Sequence, residues 1–279
     1  MTPSDPRLTL ARADLADARL EGLIRAGRFA VTRPMTCRAA QALVRKTPDT
    51  ASAVEDQLLF GEAFDVLEER DGWAWGQARR DGYVGFVALE SLAPAGNCPT
   101  HWLRAPSAHG FAEASLKSAS RGPFSMNALF EAGEERNGFV DAGEAGWIYQ
   151  RALAPIGEYE TDRAAVAEQF LGTPYLWGCR DRQGLDCSGL VQQTFYACGL
   201  ACPRDSDQQM AAFPADADPA ALARGDLVFW RGHVATMLDA DRIIHANAHH
   251  MAVVIEPLAA TVDRVRAAGS GDPIGYRRP

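Results

Sequence analysis

The pattern of apolar and polar positions changes character near residue 160. Before it, short strand-like runs alternate with turn signals. "AFDVLEERDGWAWGQARRDGYVGFVALESLAP" (63–94) predicts three or four short strands, broken at the hairpin dipeptides Asp71-Gly72 and Asp81-Gly82. A weak repeat follows. "EERDGW" (68–73) returns as "EERNGF" (134–139), and "GFVALESLAP" (85–94) returns as "GWIYQRALAP" (146–155). The second copy is five residues shorter between these blocks, as a trimmed hairpin would be. Two blocks in the same order predict a duplicated small β-barrel, with Trp73 and Phe139 at equivalent core positions.

Beyond residue 160 the spacing turns helical. Thr161 or Asp162 can cap a helix with apolar positions at Ala165, Val166, Phe170 and Leu171, stopped by Gly172. In "LDCSGLVQQTFYACGL" (185–200), Leu190, Val191, Thr194, Phe195 and Cys198 draw one stripe. Asp186 caps its start and Gly199 supplies its left-handed stop. "CPRDSDQQMAAF" (202–213) leads through a loop into a short helix. Four Val- and Ile-rich strands follow: "GDLVFW" (225–230), "HVATML" (233–238), "RIIHANA" (242–248) and "MAVVIEPL" (251–258). Helices followed by an antiparallel meander define an α+β domain.

Composition narrows the function classes. A chain of 279 residues, 47% apolar and 23% charged, suits a globular protein of two domains or three small ones. A net charge of -8 leaves no basic stripe for phosphates and discourages an anionic membrane surface. Neither nucleic acid nor membrane is therefore an expected partner, and the oligomeric state is left open. "MTPSDPRLTLARADLADARLEG" lacks the apolar core of a signal peptide, which predicts a soluble cytoplasmic protein. Six cysteines at 37, 98, 179, 187, 198 and 202 form no paired framework and are expected as free thiols. Cys198 and Cys202, with His249 and His250, lack a second matched pair, so no metal site is expected, and no cofactor.

One cysteine carries candidate chemistry. Cys187 lies in the first turn of its predicted helix, where unpaired N–H groups and the helix dipole favour a thiolate. The plainer reading is a small buried residue. A cysteine nucleophile needs a base, and His233 and His245 each fall on a predicted strand. If "DAD" (239–241) is a three-residue loop, Leu238 faces Arg242 and Ala235 faces His245. His233 then shares a face with His245, diagonally adjacent. A loop of two or four residues would put them on opposite faces. Either histidine could instead be a strand-end or satisfied core residue.

From Asp162 onward the chain resembles the NlpC-type (NlpC/p-sixty) cysteine peptidases, a papain-like family of cell-wall enzymes. "TPYLWGC" (173–179) is similar to the family's Tyr-x-Trp-Gly-Gly segment, "LDCSGL" (185–190) to its nucleophile motif and "PRDSDQQ" (203–209) to its substrate loop. "GDLVFW", "GHVATM" and "IIHANA" match the strands bearing its base and orienting residue. The first 155 residues resemble two bacterial Src-homology-3-type barrels, with "EDQLLFGEAFDVLEERDGWAW" (55–75) the most recognisable piece. The expected division is a 1–34 extension, barrels at 35–96 and 97–157, and a peptidase domain at 158–279. Cys179 stands where the family commonly has a second glycine; a positive φ there would strain a cysteine.

The resemblance implies roles. Cys187 would be the nucleophile, His233 the general base and His245 the group orienting it. The backbone N–H of Cys187, with the Tyr175 hydroxyl, would meet the oxyanion. The implied reaction is hydrolysis between γ-D-glutamate and meso-diaminopimelate or lysine in peptidoglycan stem peptides, with muropeptides bearing a free N-terminal L-alanine as partners, in cell-wall recycling or turnover. Asp186, Glu55 and Tyr83 would bind that ammonium. Trp177, Ser188 and Ser206 would line the D-glutamate pocket, and Arg204 would either meet a substrate carboxylate or brace the loop through Asp205. The rival readings are an acyltransferase or amidase on the same core, and a catalytically decayed wall-peptide binding module.

Overall fold

The computed structural model describes residues 5–213 and 215–279. The chain divides into two compact units, one ending at Ile156 and the other running from Gly157 to Pro279.

The first unit is built from one strand pattern used twice. In the first copy, a seven-stranded sheet runs in the order Val54–Leu59, Gln41–Arg45, Val84–Ala88, Trp73–Ala78, Ala63–Arg70, Arg33–Cys37, Leu92–Pro94. The second copy repeats the order as Ser120–Ser125, Ser107–Phe111, Trp147–Tyr149, Phe139–Asp141, Glu135–Arg136. Its remaining strands, Leu129–Phe130, His101–Leu103 and Leu153–Pro155, form a separate three-stranded sheet. The long strand 63–70 of the first copy is thus broken into two pieces in the second. Asp71-Gly72 and Asn137-Gly138 make the same turn, with φ of 50° and 81° in one and 53° and 79° in the other. Positive φ at both central positions matches the twist of the flanking strands. The missing five residues shorten a six-residue strand to three, with a 3-10 turn at Gly143–Ala145.

Each copy has its own core. Met35, Val44, Leu58, Phe64, Val66 and Val87 fill the first, and Leu103, Phe124, Phe130, Val140 and Ile148 the second. Phe139 is buried, but Trp73 is only half-buried. Trp75, two residues on, is the buried tryptophan, clustered with Leu10 and Leu15. The stretch from Arg7 to Leu15 therefore packs on the barrel: the Val84 N–H donates to the Arg7 carbonyl at 2.8 Å.

The second unit places helices against one antiparallel sheet. Helix α1 (Arg163–Glu168) begins at Asp162, whose carboxylate accepts from the Ala164 and Ala165 N–H groups. Its buried face is Ala164, Val166 and Ala167; Leu171, expected inside, is exposed, and Ala165 is half-buried. Helix α2 (Cys187–Ala197) is buried at every position, not along a single stripe. Its polar residues find partners within the fold. The Gln192 Nε2 donates to Tyr196 Oη at 2.9 Å, Gln193 donates to the Arg180 carbonyl, and Thr194 Oγ1 donates to the Val191 carbonyl at 2.7 Å. Helix α3 (Ser206–Ala212) starts in a capping box between Asp205 and Gln208.

The sheet runs Ala252–Pro257, Arg242–Asn247, His233–Met237, Leu227–Trp230, Gly275–Arg277. Its edge strand 275–277 and helix α4 (Leu258–Ala267), which returns after Pro257, were not evident from the sequence pattern.

Candidate active site

The start of α2 is held by a single carboxylate. Asp186 Oδ1 accepts the Gly189 N–H at 2.8 Å and Oδ2 accepts the Gly178 N–H at 2.9 Å. This ties the "YLWG" segment to the first turn of the helix. Gly178 supplies the left-handed turn at φ 76°, and Cys179 lies outside that region, so its side chain is accommodated without strain. Gly189 is required by close approach: a Cβ there would sit 2.5 Å from the Cys179 carbonyl oxygen.

The same carboxylate is closed by an arginine. Arg204, 1% exposed, donates Nη1 to Asp186 Oδ1 at 3.0 Å and Nη2 to Oδ2 at 2.6 Å. Ser188 Oγ donates to Asp186 at 3.2 Å and accepts from Arg204 at 2.9 Å. This corrects three expectations. The Arg204 fork meets Asp186 rather than an open carboxylate site. Asp186 is buried, neutralised and surrounded by donors, so it offers little to a ligand ammonium. The Ser188 hydroxyl is engaged inside this cluster.

Cys187 is the first residue of α2 and 6% exposed, so its backbone N–H has no carbonyl of its own helix to meet. Its side chain packs with Val191, Phe195 and Val234, beside the strand that begins at His233. Burial, reinforced by Asp186, pushes the thiol up to about 12, while hydrogen bonding from the Val234 and Ser188 backbone opposes it only in part. Burial therefore works against the thiolate that the helix start favours.

The two histidines meet as the three-residue loop requires. The Leu238 N–H donates to the Arg242 carbonyl at 2.8 Å, and Thr236 pairs with Ile244. His233 Nε2 and His245 Nδ1 are 2.8 Å apart. The His233 ring lies under Trp230, with ring centres 5.7 Å apart. Burial, with His245 and Arg264 adding to it, pulls His233 down to about 3. A neutral imidazole can act as a general base at the moment of attack.

Behind His245 stand two residues that the sequence reading missed. His245 Nε2 is 2.7 Å from Glu256 Oε1, and Arg264 donates to both oxygens of Glu256, with Nη1 at 2.7 Å from Oε2. Burial works against ionisation of Glu256, but the bonds from His245 and Arg264 outweigh it and hold its carboxyl far below the usual range. Burial lowers His245, partly offset by Glu256. The signal was available: His245 pairs with Val254, so Glu256, two residues on, lies on the same sheet face and diagonally adjacent.

The other expected residues are dispersed. Tyr175 is half-buried; burial, reinforced by nearby Asp186, raises its hydroxyl, which stays protonated and able to donate. Trp177 is 63% exposed, whereas Ser206 is buried at the first turn of α3. Exposed His250 donates its backbone N–H to Asn247 Oδ1 at 2.8 Å, and Asn247 Nδ2 lies 3.0 Å from His245 Nε2. Glu55 and Tyr83 belong to the first unit, where the Tyr83 hydroxyl donates to Glu55 at 3.4 Å.

Comparison with known proteins follows the same division. Residues 44–92 match the bacterial dipeptidyl-peptidase Sh3 domain and residues 172–266 the NlpC/P60 family. A dipeptidyl-peptidase 6 of Lysinibacillus sphaericus is 32% identical over 38% of this chain and 42% of its own length, so the match spans less than half of that relative. A gamma-D-glutamyl-L-lysine dipeptidyl-peptidase of Bacillus subtilis is 26% identical over 76% of this chain and 79% of the relative. The crystal structure of an NlpC/P60 family protein from Bacillus cereus superposes with a TM-score of 0.74 at 20% identity, covering 88% of this chain and 99% of that one. That likeness establishes a shared fold. The α+β unit with Cys187, His233 and His245 is accordingly an NlpC/P60 domain, and it follows a bacterial SH3-type domain in the same chain.

Proposed function

We propose that this protein is a cysteine peptidase that hydrolyses the γ-D-glutamyl–diamino acid bond of peptidoglycan stem peptides. The observation that carries the reading is the His233–His245 contact of 2.8 Å on the strand that packs against Cys187. The relatives named for γ-D-glutamyl-L-lysine dipeptides support the substrate class. With His233 Nε2 turned to His245, Nδ1 remains to take the thiol proton as Sγ bonds to the γ-carbonyl carbon. The Cys187 N–H and the Tyr175 hydroxyl are the donors available to the oxyanion. His233 then returns the proton to the departing diamino-acid nitrogen, leaving an L-Ala-γ-D-Glu thioester. Water, deprotonated by His233, releases the free acid and restores the thiol.

Selection for a free N-terminal alanine belongs to the same reading and is tested with it. The test is to incubate the protein with L-Ala-γ-D-Glu-meso-diaminopimelate, free and N-acetylated, and to identify products by mass spectrometry. Cleavage between glutamate and diaminopimelate in the free peptide alone is expected. Cleavage of both removes the amine requirement. Cleavage of neither, with Cys187 still alkylated by iodoacetamide, moves the reaction to an acyl transfer.

A further inference from the structure

Behind the two histidines stands a half-buried pair without a part in the proposed chemistry: Glu256, with its carboxylate against His245, and Arg264, which grips that carboxylate from α4. We propose that Glu256 and Arg264 are positioning residues that fix where the protons sit on both imidazoles, leaving the lone pair of His233 on Nδ1. The inference rests on the reading of Cys187 and His233 as nucleophile and base.

Proton direction follows from which groups can only accept. Glu256, ionised and doubly gripped by Arg264, offers no proton. The 2.7 Å contact with His245 therefore needs a proton on His245 Nε2. Asn247 Nδ2 lies 3.0 Å from the same nitrogen and competes for it. Its orientation is set, because its Oδ1 accepts the His250 N–H at 2.8 Å. The shorter, charge-assisted bond to the carboxylate wins over the longer one from a neutral amide. With Nε2 protonated and the ring neutral, His245 Nδ1 must accept, so His233 Nε2 must donate across 2.8 Å. His233 Nδ1 is then unprotonated, the tautomer a general base requires.

Arg264 has the second part. An unneutralised carboxylate would draw a second proton onto His245, making its Nδ1 a donor. His233 Nε2 would then have to accept, which puts the proton on Nδ1 and removes the base. The charged and titratable groups around His245 are Glu256, Arg264, His233 and His250. Among them Arg264 is the cation able to cancel Glu256 directly.

Two measurements test this. Imidazole nitrogen shifts of the ¹⁵N-histidine-labelled wild-type protein report the tautomers without substrate. Protonated Nε2 with bare Nδ1 on both His233 and His245 is expected, and a protonated Nδ1 on either overturns the proposal. Next, kcat/KM and the iodoacetamide alkylation rate of Cys187 are followed against pH for Arg264→Met, Arg264→Lys, Glu256→Gln and the Glu256→Gln/Arg264→Met double variant. Arg264→Met should move the acid limb upward by about one pH unit, Arg264→Lys should restore it, and the double variant should return it toward Glu256→Gln. Glu256→Gln should lower kcat by about tenfold or more with KM little changed. Loss at every pH with an unmoved limb would reduce the pair to a structural brace. Thermal melts exclude unfolded variants. If the wild type cleaves no peptide, the substrate reading fails, while tautomers and alkylation still decide the relay.

Discussion

Two arginine–carboxylate pairs flank the proposed chemistry, and they are used differently. Arg204–Asp186 lies on the cysteine side and is almost wholly buried. Its carboxylate faces two backbone N–H groups and a hydroxyl, none of which titrates near neutral pH. Arg264–Glu256 lies on the histidine side and is more open to solvent. Its carboxylate faces an imidazole. The first pair therefore fixes backbone: it seats Cys187 at the head of α2. The second is placed to fix protons. A buried ion pair is weak evidence for net stability, and what its carboxylate touches decides what it does.

Breaking that comparison gives graded outcomes. Cys187→Ala should reduce peptide cleavage by about 10⁴-fold or more in a product-release assay, with peptide binding retained in calorimetry. Arg204→Met leaves Asp186 charged and uncompensated, and should cost about 3–5 kcal/mol in urea unfolding. Arg264→Met, by contrast, should register first in the pH profile. His245→Ala should lower kcat by roughly 10²-fold, because His233 loses the partner that holds its ring, yet turnover should persist. The smallest signal is the alkylation profile of the resting enzyme. Burial raises the thiol and lowers His233, so both are neutral at pH 7 and the thiolate fraction grows as pH rises. Iodoacetamide rates should still climb beyond about pH 9, where an ordinary cysteine begins to level. A plateau from pH 6 upward would instead indicate a resting thiolate–imidazolium pair.

The same contrast explains what could be read from the sequence. The seat of Cys187 was legible because an N-cap, a first-turn cysteine and a glycine stop are local features. The meeting of His233 and His245 was legible because a three-residue loop and a period of two settle the register. Both readings stay within one short stretch of chain, Asp186 to Gly199 and His233 to His245. Arg204 lies 18 residues from Asp186 and arrives from an irregular loop, so no periodicity announces it. Glu256 follows from the same parity argument carried across the next turn, whose four residues, 248–251, separate Asn247 from its partner Ala252. Arg264 depends on α4 folding back after Pro257. The stripe on α2 misjudged burial for a related reason. Gln192 and Gln193 look like a solvent face by residue type, yet each finds a partner inside. In the first unit, the repeat was legible because both copies keep the turn dipeptide and the Leu-Ala-Pro strand, whereas the break in the second long strand leaves no mark on either.

Capturing the covalent intermediate tests the central claim most directly. Wild-type protein is mixed with L-Ala-γ-D-Glu-meso-diaminopimelate, quenched in acid within milliseconds to seconds, digested with pepsin and analysed by mass spectrometry. An L-Ala-γ-D-Glu thioester on Cys187, removed by hydroxylamine, is the predicted result. Release of diaminopimelate with no adduct on Cys187 across the time course, and undiminished in Cys187→Ala, would contradict it.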